Sequence, residues 1–246
     1  KDNLQDMSKC RRYLLFLTQF FSRCCLLILG YWWIEETYPE NTPNVTFPSF
    51  LERKNAPKLF VGNHVSFIDG LYILSRCIPS VIAQANTVKI PIAGSAISSL
   101  SPILVPVTDK QRETLKDPKI QLLERTKSDA FNRAVMIFPE GATTQANTLI
   151  KFQNGAFEPL VSVQPVVFKY KYKNVDPSWT GDVSAGWLLF RLCCQFVNKL
   201  EVAYCSPVQP DSNDVQEFKT KVIEEMKKVK QFEVSPLTVS DNHFLK

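Results

Sequence analysis

The chain has 246 residues, 45% of them hydrophobic and 22% charged, with a formal net charge of +5. That is a globular composition, long enough for one large domain with a real core, and no internal repeat or low-complexity segment argues for a solenoid or a disordered chain. The modest positive excess suits an anionic partner such as a phospholipid surface or a phosphorylated substrate, and is too small and too dispersed for nucleic acid.

The first element in chain order is the most lipid-like. Tyr13 to Ile34, YLLFLTQFFSRCCLLILGYWWI, would form a helix roughly 33 Å long, about the thickness of a bilayer core. Thr18, Gln19, Ser22 and Arg23 interrupt it near its middle, where an unpaired arginine at membrane depth costs several kcal/mol. Lys9, Arg11 and Arg12 precede it, and Glu35 and Glu36 follow. A spanning helix with these flanks would carry the rest of the chain across the membrane. It would also expose the glycosylation sequon Asn44-Val45-Thr46. An interfacial helix would keep the chain on one side, with Arg23, Gln19 and Ser22 among head groups and Leu26, Leu27, Leu29, Trp32 and Trp33 in the acyl region. A signal peptide is disfavoured by the length and the two tryptophans, and an ordinary core helix is the remaining reading. The central polar cluster favours the interfacial arrangement. Residues 1–36 are thus expected as a membrane-associated segment, followed by a Pro- and Asn-bearing connector over 37–57.

Short apolar runs then alternate with helical patterns. Strands are predicted at 58–62, 80–84, 102–107, 134–138, 163–171 and 199–206, and helices at 67–78, 91–100, 112–131, 184–197 and 214–231. The alternation predicts an α/β domain over 58–232, with a mainly parallel mixed sheet flanked by helices, and a tail over 233–246. The last helix has an apolar stripe at Phe218, Val222, Met226 and Val229 and a solvated lysine face. Cys10, Cys24, Cys25, Cys77, Cys193, Cys194 and Cys205 are odd in number and lack a C-x-x-C. They read as reduced residues of a cytosolic redox environment.

One strand-end turn carries a rare residue. In LFVGNHVSFIDG, Leu59 to Gly70, His64 follows a buried strand and Asp69 comes five positions later; the only other histidine is His243. Within one regular helix the two would lie roughly 140° apart and could not pair. With His64 in the turn, Ser66 as N-cap and Asp69 on the first helical turn, Asp69 can hold one imidazole nitrogen and leave the other as a general base. A helix-capping histidine without chemistry is the bland alternative. G-x-S-x-G, P-loop, G-x-G-x-x-G and metal-ligand spacings are absent from the sequence. A second strand-end turn, AVMIFPEGATT from Ala134 to Thr144, offers an anion cradle at Glu140, Gly141, Thr143 and Thr144. A third stretch, SVQPVVFKY, places Pro165 near the start of a strand.

Together these residues resemble the glycerophospholipid acyltransferase family, with its N-H-x-x-x-x-D block at Asn63, His64 and Asp69 and its F-P-E-G block at Phe138 to Gly141. They look most like its lysophosphatidylcholine and lysophosphatidylethanolamine branch, in NHVSFIDG, FPEGATT, LIKFQNGAF, VQPVVFKY, QFVNKLEV and LLILGYWWIE. The resemblance runs from about Tyr13 to the last helix and implies an acyl-CoA-dependent enzyme of an internal membrane, such as the endoplasmic reticulum, with its domain on the cytosolic side. His64 would deprotonate a lysophospholipid hydroxyl that attacks the acyl-CoA thioester, and Asp69 would hold the imidazole. Asn63 belongs to the first block; Glu140 and Gly141 would bind the glycerol-phosphate part; Pro165 would lie near the acceptor. No metal, no cofactor beyond the co-substrate acyl-CoA, and no covalent acyl-enzyme are implied. The chain departs from the family's pattern at Ala142 and Gln145, and at Val107, where an arginine is expected to meet phosphate; Arg112 is the nearest substitute. The calcium-binding modules of some relatives have no counterpart, since no D-x-D-x-D-G loop occurs. Alternatives are acylation of lysophosphatidic acid or glycerol-3-phosphate, a non-catalytic lipid-binding relative, and a hydrolase using the same base on water.

Overall fold

The computed structural model describes residues 9–39, 58–90, 93–128, 133–181 and 183–239. Asn44, most of the 37–57 connector and His243 lie outside them. The elements are α1 (Lys9–Ile28), β1 (Ile34–Thr37), β2 (Leu59–Gly62), α2 (Phe67–Arg76), β3 (Ser80–Gln84), α3 (Ala93–Ser99), β4 (Ile103–Val105), α4 (Asp109–Thr114) and α5 (Pro118–Lys127). After them come β5 (Val135–Ile137), β6 (Thr148–Leu149), β7 (Val163–Lys171), α6 (Ala185–Cys193), β8 (Lys199–Tyr204), α7 (Val215–Val229) and β9 (Glu233–Val234). Seven strands form one sheet in the order β1-β8-β7-β2-β5-β3-β4. β7, β2, β5, β3 and β4 are parallel, while β8 runs antiparallel to β7 and carries β1 parallel to itself.

The period-2 alternation of each central strand feeds two cores. Phe60, Met136, Val166, Phe168 and Val202 face one layer, where they pack with Leu26, Ile68, Tyr72, Leu188 and Leu192 of α1, α2 and α6. Leu59, Val61, Val135, Ile137, Val167 and Ala203 face the other, against Phe218, Val222 and Met226 of α7. The stripe read from α7 is thus its buried face, with Val229 partly buried beside it.

Three expectations are corrected. The helix expected over 112–131 is two helices: the break precedes Pro118, which cannot continue a helix but suits its first turn, where Asp117 accepts the Lys119 N–H at 2.8 Å. Residues 34–37, divided between membrane segment and connector, are instead the edge strand β1. Its two glutamates hid it, although Glu36 is held by the Tyr72 hydroxyl at 2.9 Å and by Arg76 at 2.8 Å. The tail also enters the fold: β9 pairs with β6, and Lys151 N–H then donates to the Leu237 carbonyl at 2.9 Å.

The amino-terminal segment does not run as a helix to Ile34. α1 stops at Ile28, the chain turns at Gly30 with φ +80°, and Arg23 caps the turn by donating to the carbonyls of Tyr31 and Trp32 at 2.9 and 2.8 Å. The polar side of α1 faces the protein rather than head groups. Ser22 is buried, Gln19 donates to the Arg76 carbonyl at 3.1 Å, and Leu26 and Leu29 enter the core. Phe16, Leu17, Phe20, Phe21 and Ile28 point outward instead. Among the described residues no helix is long and apolar enough to cross a membrane.

A Cβ at Gly30 would sit 3.0 Å from the carbonyls of both Gln195 and Phe196, in a left-handed conformation that L side chains resist. Gly30→Ala should therefore cost roughly 1–3 kcal/mol, read as a lower midpoint in urea unfolding. An unchanged midpoint would show that α1 does not close onto the sheet through this turn.

Candidate active site

β2 lies centrally, between β7 and β5, so the turn after Gly62 opens at the carboxyl end of the parallel strands, where open α/β sheets place their sites. Asn63 does not point into that opening. It is buried and clamps β7, its Oδ1 accepting the Phe168 N–H at 2.8 Å and its Nδ2 donating to the Phe168 carbonyl at 3.1 Å. The clamp fixes the start of the turn that carries His64.

The His64 backbone is gripped by the 138–144 block. Its N–H donates to Glu140 Oε1 at 2.8 Å, and its carbonyl accepts the Thr144 N–H at 2.8 Å. The imidazole lies flat on the Phe138 ring, centroids 4.0 Å apart and planes 14° from parallel. Its Nδ1 sits 3.0 Å from Asp69 Oδ2. The side chain of His64 keeps 24% of its surface exposed while Asp69 has none.

Asp69 is the third residue of α2, behind the N-cap Ser66. Its Oδ2 accepts the backbone N–H groups of Val65 at 2.7 Å and Ser66 at 2.9 Å, and its Oδ1 accepts the Tyr170 hydroxyl. Each of these partners is a donor, so the remaining bond places the imidazole proton on Nδ1 and leaves the Nε2 lone pair for a substrate. Burial and the nearby Asp69 charge push the Tyr170 phenol well above its usual range, which keeps it a donor. The sequence reading missed Tyr170. It sits on the inward phase of β7, two residues beyond Phe168, and its ring meets Tyr31 edge-on at 6.4 Å.

Glu140 is the second buried carboxylate. Besides the His64 N–H it accepts the Thr144 hydroxyl at 3.0 Å and the Ile150 N–H at 3.2 Å. Its oxygens are therefore turned into the protein, supporting the His64 turn, and not toward a bound phosphate. Burial pushes its pKa up to about 8 against the pull of these donors.

Thr144 is committed to the same knot, and the Thr143 hydroxyl donates to the Trp179 carbonyl. Gly141, at φ +73°, makes the turn between Glu140 and these threonines, and a Cβ there would come 3.6 Å from Val239 of the tail. The structure thus gathers Asn63, His64, Asp69, Glu140, Gly141, Thr143 and Thr144.

It does not gather the other two candidates. Pro165 is buried within β7 in register with Val61, below the turn. Arg112 is on α4, exposed and 3.4 Å from Asp109. The strand preceding it, β4, is three places from β2, about 14 Å at ordinary strand spacing. Among the described residues no group of three or more His, Cys, Asp or Glu side chains could hold a metal ion.

A partly exposed histidine paired with a buried carboxylate at the carboxyl end of a parallel sheet, braced by a second strand-end turn, defines a class that comparison with known proteins makes specific. The family model described as Acyltransferase matches residues 34–169, and the chain belongs to that family. Among curated relatives, the lysophospholipid acyltransferase LPEAT2 of Arabidopsis thaliana is 31% identical over 217 residues, covering 88% of this chain and 37% of that protein. LPEAT1 of the same plant is 31% identical over 91% of this chain and 60% of its own length. The lysophosphatidylcholine acyltransferase of Drosophila melanogaster is 35% identical over 66% of this chain and 30% of its own. The chain therefore spans 30% to 60% of the length of these three relatives. Its fold matches the crystal structure of the 1-acyl-sn-glycerophosphate (LPA) acyltransferase PlsC from Thermotoga maritima, with a TM-score of 0.58 over 92% of this chain and 82% of that one, at 19% identity.

Two outcomes follow from the buried carboxylates. A raised carboxyl pKa means that the folded state retains a proton which the unfolded state has lost. Stability due to Glu140 therefore falls as pH rises from about 4.5 to about 8, and levels off above. The stability of the wild type relative to Glu140→Gln should show that decline in denaturant unfolding; a difference that rises over the window would show that the three donors outweigh burial. Tyr170→Phe leaves a buried charged acceptor short of one bond and should cost roughly 1.5–3 kcal/mol, with wild-type stability overturning the assignment.

Proposed function

We propose that the protein is an acyl-CoA:lysophospholipid O-acyltransferase in which His64 is the general base and Asp69 its orienting partner. The observation that carries this is the Nδ1 to Asp69 bond at 3.0 Å, backed by a fully buried carboxylate and facing a partly exposed ring. His64 Nε2 takes the proton of the acceptor hydroxyl as its oxygen bonds to the thioester carbonyl carbon. The tetrahedral adduct collapses with rupture of the C–S bond, and the imidazolium returns its proton to the leaving thiolate, regenerating the base. Glu140 and Thr144 act through the His64 backbone as positioning residues, while Gly141 and Thr143 border the acceptor.

The names of the curated relatives, lysophospholipid acyltransferase and lysophosphatidylcholine acyltransferase, support a lysophospholipid acceptor, lysophosphatidylcholine among them; lysophosphatidylethanolamine rests on the motif resemblance. The fold shared with PlsC keeps lysophosphatidic acid as the second reading. Val107 supplies no cation where the family pattern has one, which favours an acceptor bound through more than its phosphate. α1 would lie in the membrane interface. The catalytic domain would work on the cytosolic face of an internal membrane such as the endoplasmic reticulum, where acyl-CoA is found.

A panel of lysophospholipids with one labelled acyl-CoA, and a control without acceptor, tests this reading. Transfer should be seen to lysophosphatidylcholine or lysophosphatidylethanolamine above lysophosphatidic acid, with little release of free fatty acid. His64→Ala should lower turnover roughly 10²–10⁴-fold in a protein that still folds, its melting temperature falling no more than the loss of one Asp69 donor explains. Dominant thioester hydrolysis would make the protein a hydrolase, and near-normal transfer by His64→Ala would remove the proposed base.

A further inference from the structure

α6 is built the wrong way round for a water-facing helix. Only Leu188 and Leu192 enter the core, while Trp187, Leu189 and Phe190 stand exposed on the outer side. The turn that follows carries Phe196, 83% exposed, and Val197. This surface is continuous with the end of α1. The Trp32 ring meets Phe196 at 5.7 Å and its indole N–H donates to the Phe196 carbonyl at 2.7 Å; Trp33 beside it is 82% exposed. Asn198 completes the junction, its N–H donating to the Gly30 carbonyl at 2.8 Å and its Nδ2 to the Leu29 carbonyl at 2.7 Å.

We propose that α6, the 194–197 turn and Trp32–Trp33 join the outer stripe of α1 in a single bilayer-docking face, so that the protein seats on lipid through two helices rather than one. Several observations select a lipid surface as the occupant. α1 turns its polar cluster inward and its phenylalanines outward, the orientation of helices whose surroundings are hydrocarbon. Residues 9–34 and 183–200 contain basic residues but no Asp or Glu, which complements anionic head groups. Three of the four tryptophans, at 32, 33 and 187, lie on this face, and tryptophan prefers the depth at which head groups meet acyl chains.

The face also begins at the site. Trp179 donates its N–H to the Val65 carbonyl at 2.8 Å and its indole N–H to the Val183 carbonyl at 2.9 Å, and Ser184 then caps α6. Five residues thus lead from the His64 turn to the first turn of the docking helix. Docking itself is independent of the acyl-transfer reading; the delivery of an amphiphilic acceptor along this edge to His64 rests on it.

The test is flotation of the whole chain with phosphatidylcholine vesicles, with and without phosphatidylserine, alongside quenching of tryptophan fluorescence by brominated phosphatidylcholine. The wild type should bind both, more tightly with the anionic lipid, and be quenched. The double variant Trp187→Ser/Phe190→Ser should lose at least about tenfold in vesicle partition with an unchanged melting temperature. Phe196→Ser, at a separate exposed position, should weaken binding even if the double variant folds poorly. His64→Ala should bind as the wild type, so a failed base leaves this result standing. Transfer to a monomeric short-chain acceptor should survive in Phe196→Ser, while transfer to vesicle-embedded lysophospholipid falls. Wild-type partition by both the double variant and Phe196→Ser would overturn the proposal. So would a lipid-free, concentration-dependent dimer that the same substitutions abolish, which would assign the face to a second copy of the chain.

Discussion

Asp69 is the group on which the site depends. A carboxylate removed from water is costly unless its oxygens are satisfied, and here four donors converge on it: the His64 ring, the Val65 and Ser66 amides, and the Tyr170 hydroxyl. These come from a turn, a helix start and a strand, so one charge fixes the relative position of three elements. The same bonds that stabilise the start of α2 decide which imidazole nitrogen carries its proton. Glu140 repeats the device one turn away with three donors of its own. His64 is thus held at its ring by one buried carboxylate and at its backbone by a second buried carboxyl group, with Phe138 beneath it. Such bracing lets a base sit partly exposed without wandering.

This arrangement changes how the shared motif residues are understood. Of the first block, only His64 is presented outward; Asn63 is spent on β7. Of the second turn, Glu140 and Thr144 support His64. One side chain is presented, and the neighbouring residues are used to place it.

Much of this was legible in the sequence, for physical reasons that also mark the limits. Apolar runs ending in Gly62-Asn63 and Phe138-Pro139 announced strands and their turns, and the five-residue gap from His64 to Asp69 could pair only across a strand-to-helix break. Tyr170 was not legible, because a tyrosine on a buried strand phase looks like any other core residue until its partner is known. β1 was hidden because Glu36 owes its place to Tyr72 and Arg76, which lie 36 and 40 residues away in the chain. Arg112 was the nearest arginine to Val107 by sequence, but sheet order, not sequence distance, decides proximity. The orientation of α1 was inverted for a related reason. Polar side chains in an apolar helix point to whichever partner will accept them, and the acceptors were the carbonyls of Tyr31, Trp32 and Arg76.

The edge-on contact of Tyr31 with Tyr170 joins two parts of the molecule that otherwise have separate tasks. Tyr31 is fully buried just beyond the Gly30 turn, so it moves with the end of α1. Tyr170 holds Asp69, and Asp69 holds the imidazole. Three links therefore run from the end of α1 to the His64 ring, each a packed ring or a hydrogen bond to a buried group with little slack. A tilt of α1 would reach His64 as a rotation of its ring, so that under the proposed mechanism the geometry of the base would depend on whatever α1 rests against.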